Sequence, residues 1–208
     1  TSLAAAGGLL IRDRSAFERG RKLDAVVFDK TGTLTEGRFG VTDVVSLNDK
    51  DEDAILKLAA SLESRSEHPI AQGIVQAAKD RELDYPGAED FEAIAGKGAQ
   101  ATVDGSVVKV VSPGYLRENH IELKNADQES ISGEGKTIVY VLVDEKPEGA
   151  IALADIIREE SHEALSRLKD MGVQVMMLTG DADSVASWVA RKLELDVYSA
   201  EVLPDEKA

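Results

Sequence analysis

AVVFDKTGTLT (residues 25–35) passes from four apolar residues directly into an acid, a base, a glycine and three threonines. An apolar run without alternation predicts a short strand covered on both faces, as in a parallel sheet. Asp29 then stands at the carboxyl end of that strand, where open α/β sheets bind their ligands. Residues 149–154 and 173–178 have the same unbroken apolar character, so three parallel strands are expected. Ile157, Leu165, Leu168 and Met171 mark a helix over residues 156–171 that ends at Gly172. Val185, Val189 and Leu193 mark another over 183–195, with Asp183 as its cap. Strand, helix, strand, helix is a doubly wound α/β unit. Thr179, Gly180 and Asp181 follow the strand ending at Leu178 and bring a second acid to the same rim.

The intervening sequence has a different character. Helices are expected over residues 53–62 and 69–81, the second opening on Pro69. Residues 99–103 and 107–111 alternate around Asp104-Gly105, a hairpin turn, and 137–143 add a further strand. The polar residues 125–135 are expected to form a loop. The domains expected are therefore an α/β domain made of residues 1–36 and 149–208, and an inserted α+β domain with an antiparallel sheet over 37–148. Gly37 and the turn Lys146-Pro147-Glu148-Gly149 are the expected hinges.

With 43% hydrophobic and 30% charged residues in a chain of 208, a packed core is within reach and the chain is expected to be soluble. The 24 basic against 39 acidic residues give a formal charge of −15, which argues against nucleic acid as a partner. There is no cysteine, and the three histidines, His68, His120 and His162, are too scattered to suggest a transition-metal cage. No apolar run approaches the roughly 20 residues of a membrane helix. The opening residues have no charged leader ahead of an apolar part, as a signal peptide would.

Two carboxylates converging on one rim are costly unless a cation neutralises them, and a hard, oxygen-liganded ion such as Mg2+ answers that need. With Mg2+ comes phosphate, and Asp29 is then a carboxylate nucleophile for a terminal phosphorus. Gly32 lets the backbone turn its N–H groups toward an anion, Thr31 and Thr33 offer further contacts, and Thr179 can donate to a phosphoryl oxygen. Lys207, in Leu203-Pro204-Asp205-Glu206-Lys207, supplies positive charge if that segment returns to the rim. Taken alone, Thr-Gly-Asp is as readily a capped turn.

The order DKTGTLT (29–35), TGD (179–181), LPDEK (203–207) resembles the phosphorylation domain of the P-type ATPases, a branch of the haloacid-dehalogenase-like fold. SEHP (66–69) and GKG (96–98) are similar to nucleotide-domain motifs of the heavy-metal-transporting P-type ATPases, and the closest wording is that of the copper-transporting, CopB-like members. The resemblance implies that Glu63, Glu67, His68, Gly96, Lys97 and Gly98 bind ATP in the insert, with His68 against adenine. It implies that Gly180 and Asp181 complete the nucleotide site and that Asp29, Lys30, Thr31, Thr179 and Lys207 act in catalysis. Mg2+ would be held by Asp29 and the Thr31 carbonyl. Val111-Ser112-Pro113-Gly114 departs from the Gly-Asn pair many members carry after the hairpin. The family's Gly-Asp-Gly-x-x-Asn-Asp segment would follow LPDEK, and the sequence stops first, so a fragment is expected.

Phosphatases of the same fold place an acid two residues after the nucleophile to clear the aspartyl phosphate, and Thr31 cannot act so. A persistent phosphoenzyme is therefore expected, with ATP bound by the insert and carried by a hinge motion to Asp29. The partners implied are actuator and transmembrane domains of one transporter and copper or another heavy-metal ion bound outside this chain. The expected location is the cytoplasmic side of the cell membrane. Two rival readings are a haloacid-dehalogenase-like phosphatase or phosphomutase with a substrate cap, and a regulatory nucleotide-binding module that never phosphorylates itself.

Overall fold

The computed structural model describes residues 13, 15, 20, 23–48, 50–123 and 135–202. Two sheets carry the fold. A parallel sheet has the order β1-β8-β9, from Ala25–Asp29 (β1), Gln174–Leu178 (β8) and Val197–Ser199 (β9). Asp29 is in register with Leu178, so both polar motifs leave the sheet at the same end. Leu34, Leu165, Val175, Met177, Ala186 and Val189 are buried together where helices Glu159–Asp170 (α4) and Asp183–Lys192 (α5) cover this sheet.

The second sheet is antiparallel and six-stranded. Its members in chain order are Thr35–Ser46 (β2), Glu89–Ile94 (β3), Gly98–Val103 (β4), Ser106–Val111 (β5), Thr137–Val143 (β6) and Lys146–Ile157 (β7). They lie in the order β2-β7-β6-β5-β4-β3. Helix Glu52–Glu63 (α1) buries Ile55, Leu56, Ala59, Ala60 and Leu62 completely. These pack with Ile74 of helix Pro69–Asp80 (α2) and with Val103, Val108, Ile151 and Leu153 of the sheet. The short helix Pro113–Glu118 (α3) contributes Tyr115 and Leu116 to a separate cluster with Val111, Leu142 and Ala150. The Asp104-Gly105 turn joins β4 to β5 as expected, with both residues at positive φ (50° and 81°), the geometry whose twist suits a two-residue hairpin.

Residues 149–154 are a correction to the sequence reading. They belong to β7, antiparallel to both β2 and β6, and not to the parallel sheet. Their apolar run arises because Ile151 and Leu153 pack beneath α1 and α2 while Ala150 packs with Tyr115. Burial on two faces is what such a run reports, and it does not distinguish parallel from antiparallel pairing. The turn before residue 149 accordingly sits at the far end of the antiparallel sheet, where Ser46 faces Gly149. The chain passes between the two sheets at Leu34-Thr35 and again at Ile157-Arg158, where Thr35 pairs with Ile157. Two smaller departures also appear: Ala182 holds the cap position of α5, with Asp183 in its first turn, and Val27 is 51% exposed on β1. Among the described residues β1 has β8 as its only sheet neighbour. The segments 125–134 and 203–207 lie outside the described residues.

Candidate active site

Asp29 is exposed at the end of β1, and residues 30–34 form a tight loop that returns the chain to β2. Helical geometry in that loop is broken at Thr31 (φ −75°, ψ 124°) and at Gly32 (φ 77°). A side chain at residue 32 would meet open space, so the requirement for glycine there is conformational. Thr31, Gly32 and Thr33 are all exposed, whereas Leu34 and Thr35 are buried. The polar rim is therefore anchored from beneath by its own last two residues.

Lys30 points the other way and is 4% exposed. Its ammonium lies 3.1 Å from Asp155 Oδ2 and 2.7 Å from Asp181 Oδ2. Burial works against the charged form, but the hydrogen bonds and charges of Asp181 and Asp155 outweigh it and hold the pKa above the ordinary lysine value. Asp155 Oδ2 also lies 2.7 Å from Thr35 Oγ1, and Oδ1 accepts from the Gly37 N–H at 3.1 Å. Arg158 donates from Nε to the Thr35 carbonyl at 3.0 Å, and its backbone N–H donates to the Leu34 carbonyl at 3.0 Å. Thr179, buried, donates to Asp181 Oδ2 at 2.6 Å and accepts from the Asp181 N–H.

Lys30, Thr179 and Asp181 are thus brought together beside Asp29, while Gly180 is exposed at the same strand end. Lys207 lies outside the described residues. Asp155 and Arg158 escaped the sequence reading. The available signal was an acid and an arginine three apart at the carboxyl end of a buried strand, in Ala154-Asp155-Ile156-Ile157-Arg158.

A cavity of about 420 Å³ opens in the antiparallel domain, lined by Glu63, Ser66, His68, Gly96, Lys97 and Gly98, with apolar walls from β3, β5 and β6. His68 caps α2: its Nδ1 accepts from the Ile70 N–H at 3.2 Å, so the ring proton is on Nε2. Gly98 has φ 140°, and a Cβ there would sit 2.0 Å from the Val110 carbonyl oxygen, which excludes any side chain at this wall. Lys97 is ion-paired with Glu118 of α3. Glu67 is exposed, its carbonyl accepting from Gln72, and it does not line the cavity. No residue of the 29–35 loop lines the cavity either.

Glu63 is 6% exposed, and burial pushes its carboxyl up to about 7, against the opposing effect of a hydrogen bond from Ser66. Between the unfolded value near 4.5 and about 7 the folded chain binds the extra proton, so stability falls as pH rises through that window. Above it the penalty is fully present, on the order of 3 kcal/mol. Glu63→Gln is expected to remove that slope and to be more stable than the parent at pH 8, as urea denaturation at pH 5 and pH 8 would measure.

Among the described residues there is no cluster of three or more His, Asp or Glu side chains able to hold a metal, and no helix is long and apolar enough to cross a membrane. Mg2+ needs fewer protein ligands than that, since it keeps waters and takes phosphate oxygens. A carboxylate at Asp29 and a backbone carbonyl at Thr31 are hard oxygen donors of the required kind.

Residues 23–207 match the haloacid dehalogenase-like hydrolase family. The chain belongs to that family. Among these hydrolases it is similar to the copper-exporting P-type ATPase B of Archaeoglobus fulgidus, at 57% identity over all 208 residues and 30% of that protein's length. It also superposes on the crystal structure of a zinc-transporting PIB-type ATPase in the E2.Pi state, with TM-score 0.86 and 34% identity over 98% of this chain and 33% of the other. The catalytic domain of the CPx-ATPase CopB-B gives TM-score 0.63 and 25% identity over 95% of this chain and 69% of that one. The resemblance to the metal-transporting P-type ATPases seen in the motifs is borne out by these relatives. The haloacid dehalogenase-like chain spans about a third or less of the length of the curated relatives it matches.

Proposed function

We propose that this chain is the ATP-binding and phosphorylation region of a heavy-metal-transporting P-type ATPase, with copper as the transported ion. Residues 29–35 with 179–181 form the phosphorylation site. The antiparallel domain, expected over 37–148, binds the nucleotide. The observation that carries this reading is the pairing of two distinct sites. An exposed carboxylate at the end of a parallel strand is backed by buried Lys30, ion-paired with Asp155 and with the partly exposed Asp181, and a separate purine-sized cavity bears Glu63, His68 and two glycines. A cavity of this size lies within the usual range for nucleotide-sized ligands.

His68 meets adenine with its ring, Gly96 and Gly98 admit the nucleotide close to the backbone, and Lys97 exchanges Glu118 for phosphate. Asp29 attacks the terminal phosphorus, the bond to the ADP oxygen breaks, and Asp29 holds the phosphoryl group as an acyl phosphate. Mg2+, held by Asp29 and the Thr31 carbonyl, would offset the charge of the transferring group. Lys207 would help to offset that charge if residues 203–207 return to the rim. Because Thr31 offers no carboxyl to activate water, hydrolysis awaits an actuator domain, and the energy is passed to membrane segments that bind the metal. In that setting the chain faces the cytoplasm. The copper assignment rests on the names of the sequence relatives.

Calorimetric titration of this chain with ATP tests the nucleotide half. His68→Ala is expected to weaken binding roughly tenfold, at the low end of what one aromatic stacking contact with a base contributes. Equal affinity for the parent and the folded variant would remove His68 from the site.

A further inference from the structure

We propose that Glu63 meets the base as the neutral carboxylic acid, and that this protonation state selects adenine over guanine. The inference rests on the adenine-pocket reading above and concerns the chemistry of one wall of it. Glu63 closes α1, lines the cavity and is buried as a residue, with 6% of its surface exposed. The Ser66 hydroxyl, which also accepts from the His68 N–H at 3.3 Å, donates to it.

The other titratable groups lining the cavity are His68, from the segment ahead of α2, and Lys97, from the turn between β3 and β4. Lys97 is held by Glu118, and the ring nitrogen His68 presents to α2 is an acceptor. β3, β5 and β6 contribute only apolar side chains: Phe91, Ala93, Ile94, Val110, Val111 and Val139. Burial of this kind favours the uncharged carboxyl, and the raised titration point near 7 agrees.

The hydrogen-bonding edge of adenine offers one donor, N6–H, and one acceptor, N1. A carboxylic acid offers one acceptor, its C=O, and one donor, its O–H, so the two close a matched pair. Guanine offers two donors on the equivalent edge, N1–H and N2–H, and these match a carboxylate with two acceptors. Deprotonating Glu63 therefore removes the donor adenine needs and creates the acceptor pair guanine needs. A site with buried polar groups discriminates through the unpaired atom the wrong ligand leaves behind. A glutamine at position 63 presents one donor and one acceptor at every pH and mimics the acid.

The test is the ratio of ATP to GTP affinity, measured by titration of the intact chain between pH 6 and pH 8. Phosphate ionisation is common to both nucleotides and cancels in the ratio. For the parent the ratio should fall at least tenfold across that range, given a midpoint of about 7. Glu63→Gln should retain preference for ATP and show no such fall, and because it keeps His68, any contribution from the imidazole survives in both proteins and is separated. A pH-independent ratio in the parent, with ATP binding still sensitive to His68→Ala, overturns the protonation inference and leaves the nucleotide site standing. Loss of the ATP preference in Glu63→Gln overturns it as well. Binding of neither nucleotide by the folded parent removes the adenine-pocket reading and this inference with it.

Discussion

Asp29→Asn in the full-length protein is expected to abolish the acid-stable phosphoenzyme while leaving ATP affinity within about twofold of the parent. The carboxamide is nearly isosteric with the carboxylate but is not a nucleophile toward phosphorus. Asp29 is exposed at a strand end and does not line the nucleotide cavity, so its loss separates chemistry from binding. Filter-bound label from γ-labelled ATP after acid quench, beside a calorimetric ATP titration, reads both halves. Undiminished label in the variant would move the nucleophile elsewhere. Rapid release of phosphate from small phosphomonoesters by the parent would favour the phosphatase reading.

Lys30→Met is expected to produce the largest loss of stability of any single change at the rim, on the order of 3 kcal/mol by urea denaturation. The ammonium is buried between two carboxylates, and removing it leaves Asp155 with only the Thr35 hydroxyl and the Gly37 N–H. Those donors keep the cost at the lower end of what breaking a buried ion pair entails. Adding Asp155→Asn should restore part of the loss, because the uncompensated charge goes with it. Because the same contacts tie the 29–35 loop to β7, the single variant should also lose phosphorylation more than its residual folding explains. A Lys30→Met protein within 0.5 kcal/mol of the parent, an ordinary surface effect, would mean that the network does not anchor the loop.

The parts of this site that were legible in the sequence are those encoded by contiguous residues. The strand and loop around Asp29 announce themselves because an unbroken apolar run adjoins a polar stretch with a glycine and three threonines, and Asp104-Gly105 announces a hairpin because few other residues accept two positive φ values. His68, Gly96 and Gly98, singled out by their motifs, line one cavity, and Glu67 does not. What escaped depends on contacts across the chain. Asp155 reaches Lys30 and Gly37 over more than a hundred residues, and nothing local to Ala154-Asp155-Ile156 states that partnership. β7 was assigned to the wrong sheet because helices and side chains on its two faces produce the same apolar run in either pairing. β2 was missed because its exposed edge keeps Glu36, Arg38, Thr42 and Asp43 among its apolar residues, which reads as loop.

In the proposed reaction phosphate passes from the nucleotide to Asp29. The measurement that addresses it most directly is site mapping by mass spectrometry of the full-length protein incubated briefly with ATP and quenched in acid. Phosphate is expected on the peptide containing DKTGTLT, at Asp29, released by hydroxylamine as an acyl phosphate must be. Phosphate on any other residue, or a hydroxylamine-resistant linkage, would contradict it.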